Sequence, residues 1–344
     1  MTRQETIVPG GRYDVVVLGG GAAGLSAALV LGRARRSVAV VDSGNPRNAP
    51  AAHMHGFLSR DGTPPGRLLE IARQEAAGYG CVIGTGQALA AVRVPDGGFA
   101  VDLGDGDTVY ARRLLAATGI VDELPDVPGL AARWGRDVLH CPYCHGWEVR
   151  DQRIGVLATG PMSLHQTMLF RQWTDNLTLL LHTGPRPTEE ELEQLAARGV
   201  TVVPGEVDSL ETAGDRLIGV RLRTREVIAL DALVVAPRFV PRAAVLGTLG
   251  LEPAPHPAGV GEYIAADATG LTTVPGVWVA GNLADPAATV LQAAASGAKA
   301  AAAINADLVA EDTRLAVRAH RAPFSPAAEA RNCEEVAGGR RHGI

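Results

Sequence analysis

The sequence predicts an α/β protein made of two Rossmann-like, doubly wound units, one of which is interrupted by the other. Residues 13–33 read as an apolar strand, a glycine turn and an alanine-rich helix. A second strand–helix–strand–helix pattern fills residues 153–198. "GVWVAGN" at residues 276–282 adds a further strand and turn before a long alanine-rich helix. Strands that alternate with helices in this way are typical of parallel sheets covered by helices.

Size and composition fit a globular protein of two domains. The 344 residues are enough for two domains of roughly 150 residues each. The net charge of −5, with scattered arginines, gives no reason to expect nucleic acid or an anionic membrane as a partner. The first residues lack the apolar run of a signal peptide, and no stretch has the length of a membrane span. We therefore expect a soluble, cytoplasmic protein.

The first glycine turn carries a nucleotide-binding pattern. Gly19, Gly21 and Gly24 form G-x-G-x-x-G between a buried strand and a helix. The first glycine permits a tight turn, the second a close approach of pyrophosphate, and the third close helix packing. Asp42 ends the next strand, where a carboxylate can accept hydrogen bonds from ribose hydroxyls. The pattern favours a dinucleotide site over a purely structural turn.

Two proline-rich links, at residues 112–130 and 236–245, bound the middle of the chain. They suggest that one domain is inserted into the other. We predict a discontinuous domain, a central domain and a mobile tail, with these limits: 1–121 and 244–320, 122–243, and 321–344.

One close pair of cysteines, Cys141 and Cys144, lies in the central domain within "HCPYCHG". A zinc site normally has four ligands, and no second cluster joins the flanking His140 and His145, so no metal is expected. C-P-Y-C also occurs in glutaredoxins, but there it follows the first strand of a small domain. A redox-active disulfide is the preferred interpretation.

Disulfide exchange requires a thiolate, because the thiol is a poor nucleophile. His145 directly follows Cys144 and can take or return a proton near neutral pH. The alternative for His145 is a packing role. We interpret His140 as structural.

Together, these motifs resemble the low-molecular-weight thioredoxin reductase family of flavoproteins. The resemblance covers about residues 12–315 and includes "ATG" at residues 117–119, C-P-Y-C and "GVWVAGN". It implies FAD in the discontinuous domain, a nicotinamide-binding central domain that carries the cysteine pair, and a homodimer.

The resemblance also implies roles for particular residues. Cys144 would face the flavin, Cys141 would exchange with substrate, and His145 would be the acid/base. The residues that would contact FAD are Gly19, Gly21, Gly24, Asp42, Asn48, His55, Thr118, Gly119, Gly281 and Asn282. Family members commonly have Asp in place of Asn282, but an amide can still hydrogen-bond a hydroxyl. The alternative for His55 is a loop residue with local hydrogen bonds.

The second nucleotide fingerprint of the family, close to G-G-G-x-x-A, is altered in "RIGVLATGPMSLHQ". Ala158 replaces the turn glycine, Gly160 persists, Pro161 follows, and Ser163 occupies the helix-packing position. The alanine adds a Cβ to the tight turn. The proline removes an N–H that could face phosphate.

The basic H-R-R-x-x-x-R run that holds the 2′-phosphate of NADPH is also missing. "LTLLLHTGPRPTEEE" offers Arg186 alone, followed by glutamates. Loss of a bidentate arginine clamp should lower affinity by orders of magnitude. The sequence therefore predicts that NADPH is not the reductant.

C-x-x-C-H-G at residues 141–146 is similar to the dithiol oxidases that close the disulfide in gliotoxin- and holomycin-type natural products. The resemblance implies oxidation of a small-molecule dithiol, with electrons passing through the cysteine pair to FAD and then to O2, giving H2O2. The alternatives are a thioredoxin reductase with a divergent NADPH site or another donor, and a redox-sensing flavoprotein without catalysis.

Overall fold

The computed structural model describes residues 7–95 and 97–321, together with residues 326, 329, 330 and 333. The strands are β1 (Arg12–Leu18), β2 (Val38–Asp42), β3 (Val82–Thr85), β4 (Ala88–Arg93), β5 (Phe99–Leu103), β6 (Thr108–Ala116), β7 (Ile120–Glu123), β8 (Val138–Leu139), β9 (Ile154–Leu157), β10 (Leu177–Leu180), β11 (Thr201–Val203), β12 (Val207–Ala213), β13 (Arg216–Leu222), β14 (Val227–Ala229), β15 (Ala232–Val234), β16 (Arg238–Pro241), β17 (Ala254–Pro255), β18 (Glu262–Tyr263) and β19 (Val277–Val279). The helices are α1 (Ala22–Arg33), α2 (Pro65–Ala77), α3 (Pro142–His145), α4 (Ser163–Phe170), α5 (Glu189–Ala197), α6 (Ala244–Gly247) and α7 (Val290–Arg321).

The first sheet has the strand order β3-β2-β1-β6-β5-β4, with β19 paired to β6. β1 runs parallel to β2 and to β6. Val15, Val16 and Val17 are completely buried in β1, because apolar cores cover both faces of this sheet. β19 pairs in parallel with β6, so residues from both ends of the chain share one sheet.

Helix α7 lies against α1 at a very short distance. A Cβ at Gly297 would lie 2.0 Å from the carbonyl oxygen of Ala23, so this approach requires glycine. Ala300, Ala301 and Ile304 extend the contact into the buried core. The small side chains that mark this helix in the sequence therefore serve close helix packing.

The second sheet has the order β11-β10-β9-β15-β8, and its pairs are all parallel. Ile154, Val156 and Leu157 of β9 are completely buried. β12, β13 and β14 form a separate antiparallel sheet. The predicted fold class, α/β with Rossmann-like parallel sheets, is confirmed.

β7 and β16 form an antiparallel ribbon in which Phe239 lies opposite Asp122. The chain passes through this ribbon on its way into the second sheet and again on its way out, near the two proline-rich links. The domain limits remain predictions, and most of the predicted tail, 321–344, lies outside the described residues. Within the part of the chain that the structure describes, no helix has both the length and the apolar character needed to cross a membrane.

We predict that Gly24→Ala destabilises the protein, because the new Cβ would lie 1.9 Å from the carbonyl oxygen of Gly19. Overpacking of this kind should lower the free energy of unfolding by about 1–3 kcal/mol. Gly66→Ala is the matched control, since a Cβ there meets nothing within 4 Å. Thermal unfolding measures both variants, and equal stability of the two would contradict the assigned packing role.

Candidate functional site

A large cavity of about 1950 Å³ lies at the carboxyl ends of the parallel strands of the first and second sheets. Such a volume exceeds the roughly 300–1,000 Å³ of most small-molecule pockets. Nearly all residues predicted from the sequence line it, namely Gly19, Gly21, Asp42, Asn48, His55, Thr118, Gly119, Cys141, Cys144, His145, Gly281 and Asn282. Gly24 is the exception, because it packs behind the turn against Gly19.

The first glycine turn is shaped as a cradle for a ligand. Gly19 has a φ of 105°, and a Cβ there would lie 2.4 Å from the carbonyl oxygen of Ala117. Gly21 precedes α1, and the position of its missing Cβ meets no atom within 4 Å. A side chain at Gly21 would therefore project into the cavity at the start of the helix, where N–H groups favour an anion. The turn fits the pyrophosphate of a dinucleotide.

Asp42 ends β2 beside this turn and is held in place. Its Oδ2 accepts a hydrogen bond of 2.6 Å from Arg73, and its Oδ1 accepts one of 3.2 Å from the N–H of Gly44. An ionised carboxylate has about four lone-pair sites, so it can accept further bonds from hydroxyl groups. The ion pair with Arg73 orients the acid and leaves the predicted ribose contact available.

His55 lies between two carboxylates. Its Nδ1 is 3.4 Å from Asp61, and its Nε2 is 3.3 Å from Glu148. Glu148 follows α3, so this contact connects the loop of residues 52–62 to the segment that carries the cysteines. His55 therefore lines the cavity, as the resemblance implies. It also has the local contact, with Asp61, that is expected of a loop residue with local hydrogen bonds. Asn48 lines the cavity nearby.

The "ATG" turn is bonded to the second crossing of the chain. The hydroxyl of Thr118 donates to the carbonyl oxygen of Arg242 at 2.7 Å, and the N–H of Arg242 donates to Gly119 at 3.0 Å. Gly119 has a φ of 72°, a conformation that favours glycine. The turn thus holds a fixed position on the cavity wall.

The side-chain amide of Asn282 organises the loop before α7. Its Nδ2 donates to the carbonyl oxygens of Asp285, Pro286 and Ala288 at 3.2, 3.2 and 2.8 Å. An aspartate could not donate any of these bonds. These bonds give a structural reason for an amide at this position. Beside it, the N–H of Gly281 donates to Ser296 at 2.9 Å.

The cysteine motif folds as the short helix α3, and Cys141 occupies the position that precedes it. The N–H of His145 donates to the carbonyl oxygen of Cys141 at 3.2 Å, and the N–H of Gly146 donates to that of Pro142 at 2.7 Å. Proline is well tolerated at the first helical position because its missing N–H would have no partner there. Both cysteines are free thiols, partly buried, on the cavity wall.

The two thiols differ in acidity. A hydrogen bond from the Cys144 thiol outweighs the opposing effect of burial and, with weaker contributions from the N–H groups of Cys144 and Tyr143 and the charge of Arg47, lowers the pKa of Cys141 to about 7. The same thiol–thiol bond, together with burial, raises the pKa of Cys144. The one proton left on the pair therefore resides on Cys144, and Cys141 carries the negative charge.

His145 forms part of the wall between the large cavity and a second one of about 580 Å³. Burial lowers the pKa of His145, Glu148 acts in the opposite direction, and His55 adds to the lowering. The imidazole is therefore neutral near pH 7 and can accept a proton. Its role in catalysis remains a prediction.

His140 is held by backbone groups, consistent with its interpretation as structural. Its Nδ1 lies 3.0 Å from the carbonyl oxygen of Val235. Gln166 donates from Nε2 to the carbonyl oxygen of His140 at 2.8 Å. Burial lowers the pKa of His140. These bonds fix the end of β8 immediately before Cys141.

The turn after β9, where the family places its second nucleotide fingerprint, is closed by Ser163. The serine Oγ accepts hydrogen bonds from the N–H groups of Thr159 and Gly160 at 3.2 and 3.4 Å. These are N–H groups that a phosphate would need. Farther along the cavity wall, Arg223 is paired with Glu206 at 2.8 Å.

Sequence reasoning missed Arg47, which lines the cavity and acts on both thiols. It stands next to Asn48 in the loop that the sequence singled out, but its partner, Asp122, lies 75 residues away. No local pattern connects the two. Among the described residues, no group of three or more His, Cys, Asp or Glu side chains is arranged to hold a metal ion.

Comparison with known proteins agrees with this geometry. The family model described as pyridine nucleotide-disulphide oxidoreductase matches residues 13–302. Thioredoxin reductase sirT of Leptosphaeria maculans is 31% identical over 318 residues, which cover 87% of this chain and 95% of that protein. Thioredoxin reductase tcpT of Claviceps purpurea is 30% identical over 280 residues, which cover 78% of this chain and 86% of that protein.

Solved structures show the same fold. The crystal structure of HlmI superposes with a TM-score of 0.86 and 47% identity, covering 93% of this chain and 100% of that one. An oxidoreductase from Agrobacterium tumefaciens gives a TM-score of 0.81 and 36% identity, covering 87% of this chain and 99% of that one. The similarity therefore extends across both parallel sheets and the cavity between them.

We predict that Asn282→Asp destabilises the loop before α7, because a carboxylate would face three carbonyl oxygens without a proton to donate. The free energy of unfolding should fall by about 1–3 kcal/mol. Asn176→Asp, at an exposed loop position, is the control for the change of charge. Chemical denaturation measures both, and the assignment fails if the two variants unfold alike.

We predict that Cys141 reacts with iodoacetamide near neutral pH. Only the thiolate reacts, and a pKa of about 7 instead of the ordinary 9.0 keeps the thiolate populated until the pH falls through about 7. At pH 7 about half of Cys141 should be ionised, against about 1% of an ordinary thiol. Site-specific mass spectrometry of reduced protein follows the reaction, with exposed Cys333 as the internal reference. A Cys141 alkylation midpoint near pH 9 would contradict the asymmetry of the two thiols.

Proposed function

Since the chain belongs to the pyridine nucleotide-disulphide oxidoreductase family and is similar to thioredoxin reductases, we propose that it is a FAD-dependent dithiol oxidase. Its substrate would be a small-molecule dithiol of the natural-product class, which it would convert to an intramolecular disulfide. The C-x-x-C-H-G motif at residues 141–146 supports this choice within the family. The enzyme would act as a homodimer, as the resemblance implies, and we propose that it is cytoplasmic.

The observation that carries the proposal is the closed turn after β9. Ser163 occupies the N–H groups of Thr159 and Gly160, which a nicotinamide nucleotide would need for its phosphates. Arg223, which is paired with Glu206, does not replace the missing arginine clamp. With the nicotinamide side impaired, electrons most simply enter from substrate thiols at Cys141 and Cys144.

The proposed reaction transfers electrons from a substrate dithiol through two thiol–disulfide exchange steps. A substrate thiolate attacks Sγ of Cys141, which breaks the Cys141–Cys144 bond and leaves Cys144 as a thiolate. The second substrate thiol loses its proton, attacks the substrate sulfur of the mixed disulfide and expels Cys141. Two electrons and two protons leave the substrate, so that dithiol and O2 give cyclic disulfide and H2O2.

The asymmetry of the two thiols supports this order of events. A sulfur of low pKa leaves faster, and a pKa of about 7 makes Cys141 a good leaving group when the product disulfide closes. After Cys141 has been expelled, the proton that remains on the pair lies on Cys144, which must lose it before it can donate electrons. His145, neutral because burial lowers its pKa, would accept that proton.

The chemistry that FAD supplies when bound is acceptance of the electron pair and its transfer to O2. The glycine cradle at Gly19 and Gly21 fits its pyrophosphate, and Asp42 is available for its ribose. Thr118, Gly119 and the loop that Asn282 organises would line the remainder of the site.

Thioredoxin reductase is the second candidate, because sirT and tcpT both carry that name. Reduction of the flavin under anaerobic conditions distinguishes the two. The flavin of a dithiol oxidase should be bleached rapidly by a small dithiol and slowly by NADPH. Rapid bleaching by NADPH would favour the reductase.

We predict that Cys144→Ser abolishes flavin reduction by dithiols and oxygen uptake while FAD remains bound, because electrons leave the pair through Cys144. Cys333→Ser, at an exposed position, is the control and should behave as the unchanged protein. An oxygen electrode with a panel of small dithiols and reduced thioredoxin, combined with a peroxide assay, makes the measurement. Absence of turnover with any dithiol would contradict the oxidase and favour a redox-sensing flavoprotein without catalysis.

A further inference from the structure

Arg47 makes an unusually complete set of contacts beside the redox pair. Its Nε and Nη2 donate to the two carboxylate oxygens of Asp122 at 2.9 and 2.7 Å. Its Nη1 donates to the carbonyl oxygen of Pro286 at 3.3 Å. The Asp122 side chain is only 8% exposed, and a bidentate pair of this kind holds the guanidinium in one orientation. Arg47 thus connects its own loop, the β7–β16 ribbon and the loop before α7.

The same guanidinium lies over the ring of Phe239, 4.8 Å from its centre. Phe239 in turn meets the ring of His140 edge-on, with 5.4 Å between ring centres. His140 immediately precedes Cys141. Because Phe239 lies opposite Asp122 in the ribbon, the ion pair and the ring stack form one connected cluster. We call these four residues the Arg47 cluster: Arg47, Asp122, Phe239 and His140.

The charge of Arg47 reaches the sulfur atoms. It contributes to lowering the pKa of Cys141 and acts in the same direction on Cys144. It also lowers the pKa of His140, whereas Asp122 raises it, so the two charges of the ion pair act in opposite directions at this place. The Cys144 thiol and the charge of Arg47 both lower the pKa of the Cys141 thiol, and burial raises it.

We propose that Arg47 is the charge-setting and positioning residue of the redox pair: Asp122 and Phe239 hold its positive charge where it stabilises the thiolate that forms when the Cys141–Cys144 bond opens. The disulfide carries no charge and the opened pair does, so a fixed cation favours the open form. This deepens the proposed function, since it rests on Cys141 and Cys144 as the exchanging pair. It holds for any thiol substrate and any electron acceptor.

Asp122 has a second effect that makes the proposal testable. As the counter-ion of Arg47, it orients the guanidinium but also cancels part of its field. In Asp122→Asn the side-chain oxygen can still accept one hydrogen bond, and the carbonyl oxygen of Pro286 and the ring of Phe239 still hold the guanidinium. Removing the charge of Arg47 should therefore make the Cys141 thiolate less stable, whereas removing the charge of Asp122 should make it more stable. A cluster that served packing alone would respond in the same direction to both changes, because both break the same ion pair.

The experiment measures iodoacetamide alkylation of Cys141 against pH in reduced holoprotein for Arg47→Gln and Asp122→Asn. For Arg47→Gln we expect the alkylation midpoint to move to higher pH and the rate at pH 6.5 to fall about threefold. For Asp122→Asn we expect the midpoint to move to lower pH. Arg153→Gln is the matched control, because it breaks an exposed bidentate pair with Asp231 and should leave the midpoint unchanged.

Midpoints that move in the same direction in both variants, or that move as far in the Arg153→Gln control, would overturn the proposal. If Arg47→Gln does not fold, Asp122→Asn decides alone: a lower midpoint supports the charge-setting role, and an unchanged or higher midpoint refutes it. The assay uses no dithiol substrate, NADPH or O2. Its outcome is therefore separate from that of the oxygen-uptake experiment, which tests the oxidase itself.

Discussion

The site depends on the fact that parallel strands of two different sheets have their carboxyl ends at the same cavity. In a parallel sheet the carboxyl ends of the strands lie at one edge, and the turns that follow them converge there. The first sheet brings the turns of Gly19 and Thr118 to this edge, and the second brings Cys141 and the turn at Gly160. Residues more than one hundred positions apart therefore line one volume. The β7–β16 ribbon stands in the chain between the two sheets, and hydrogen bonds from Arg47 to Asp122 and from Arg242 to Asn45 connect it to the loop after β2.

The sequence predicts the regular elements closely and the side-chain network poorly. The strand–helix–strand–helix pattern expected in residues 153–198 is observed as β9, α4, β10 and α5. Apolar runs and glycine turns carry this information locally. The pairing of Arg47 with Asp122 across 75 residues depends instead on how the ribbon crosses the cavity, which no spacing in the sequence specifies. The amide of Asn282 is similar: its place near the cofactor follows from the resemblance, but its three backbone bonds follow only from the path of the loop.

The turns after β1 and β9 differ in the hydrogen-bonding groups that they can offer to an anion. At the first turn, the position beyond Gly21 is open, so a ligand can approach the start of α1. At the second, a serine oxygen already accepts from two turn N–H groups, and a ligand phosphate would have to displace it. A serine at the start of a helix can in this way occupy backbone N–H groups of the turn before it. The hydrogen-bonding capacity of the second turn is thus used within the protein.

Besides burial, two effects of different range act on the pKa values of Cys141 and Cys144. The hydrogen bond between the thiols is local and decides which sulfur carries the charge, lowering the pKa of Cys141 to about 7 and raising that of Cys144. The charge of Arg47 acts on both sulfur atoms in the same direction, so it cannot choose between them. It can favour only the total charge that appears when the disulfide opens. The thiol–thiol hydrogen bond therefore determines which sulfur is released, whereas Arg47 acts on how easily the disulfide opens. A change at Arg47 need not disturb the choice between the two sulfur atoms.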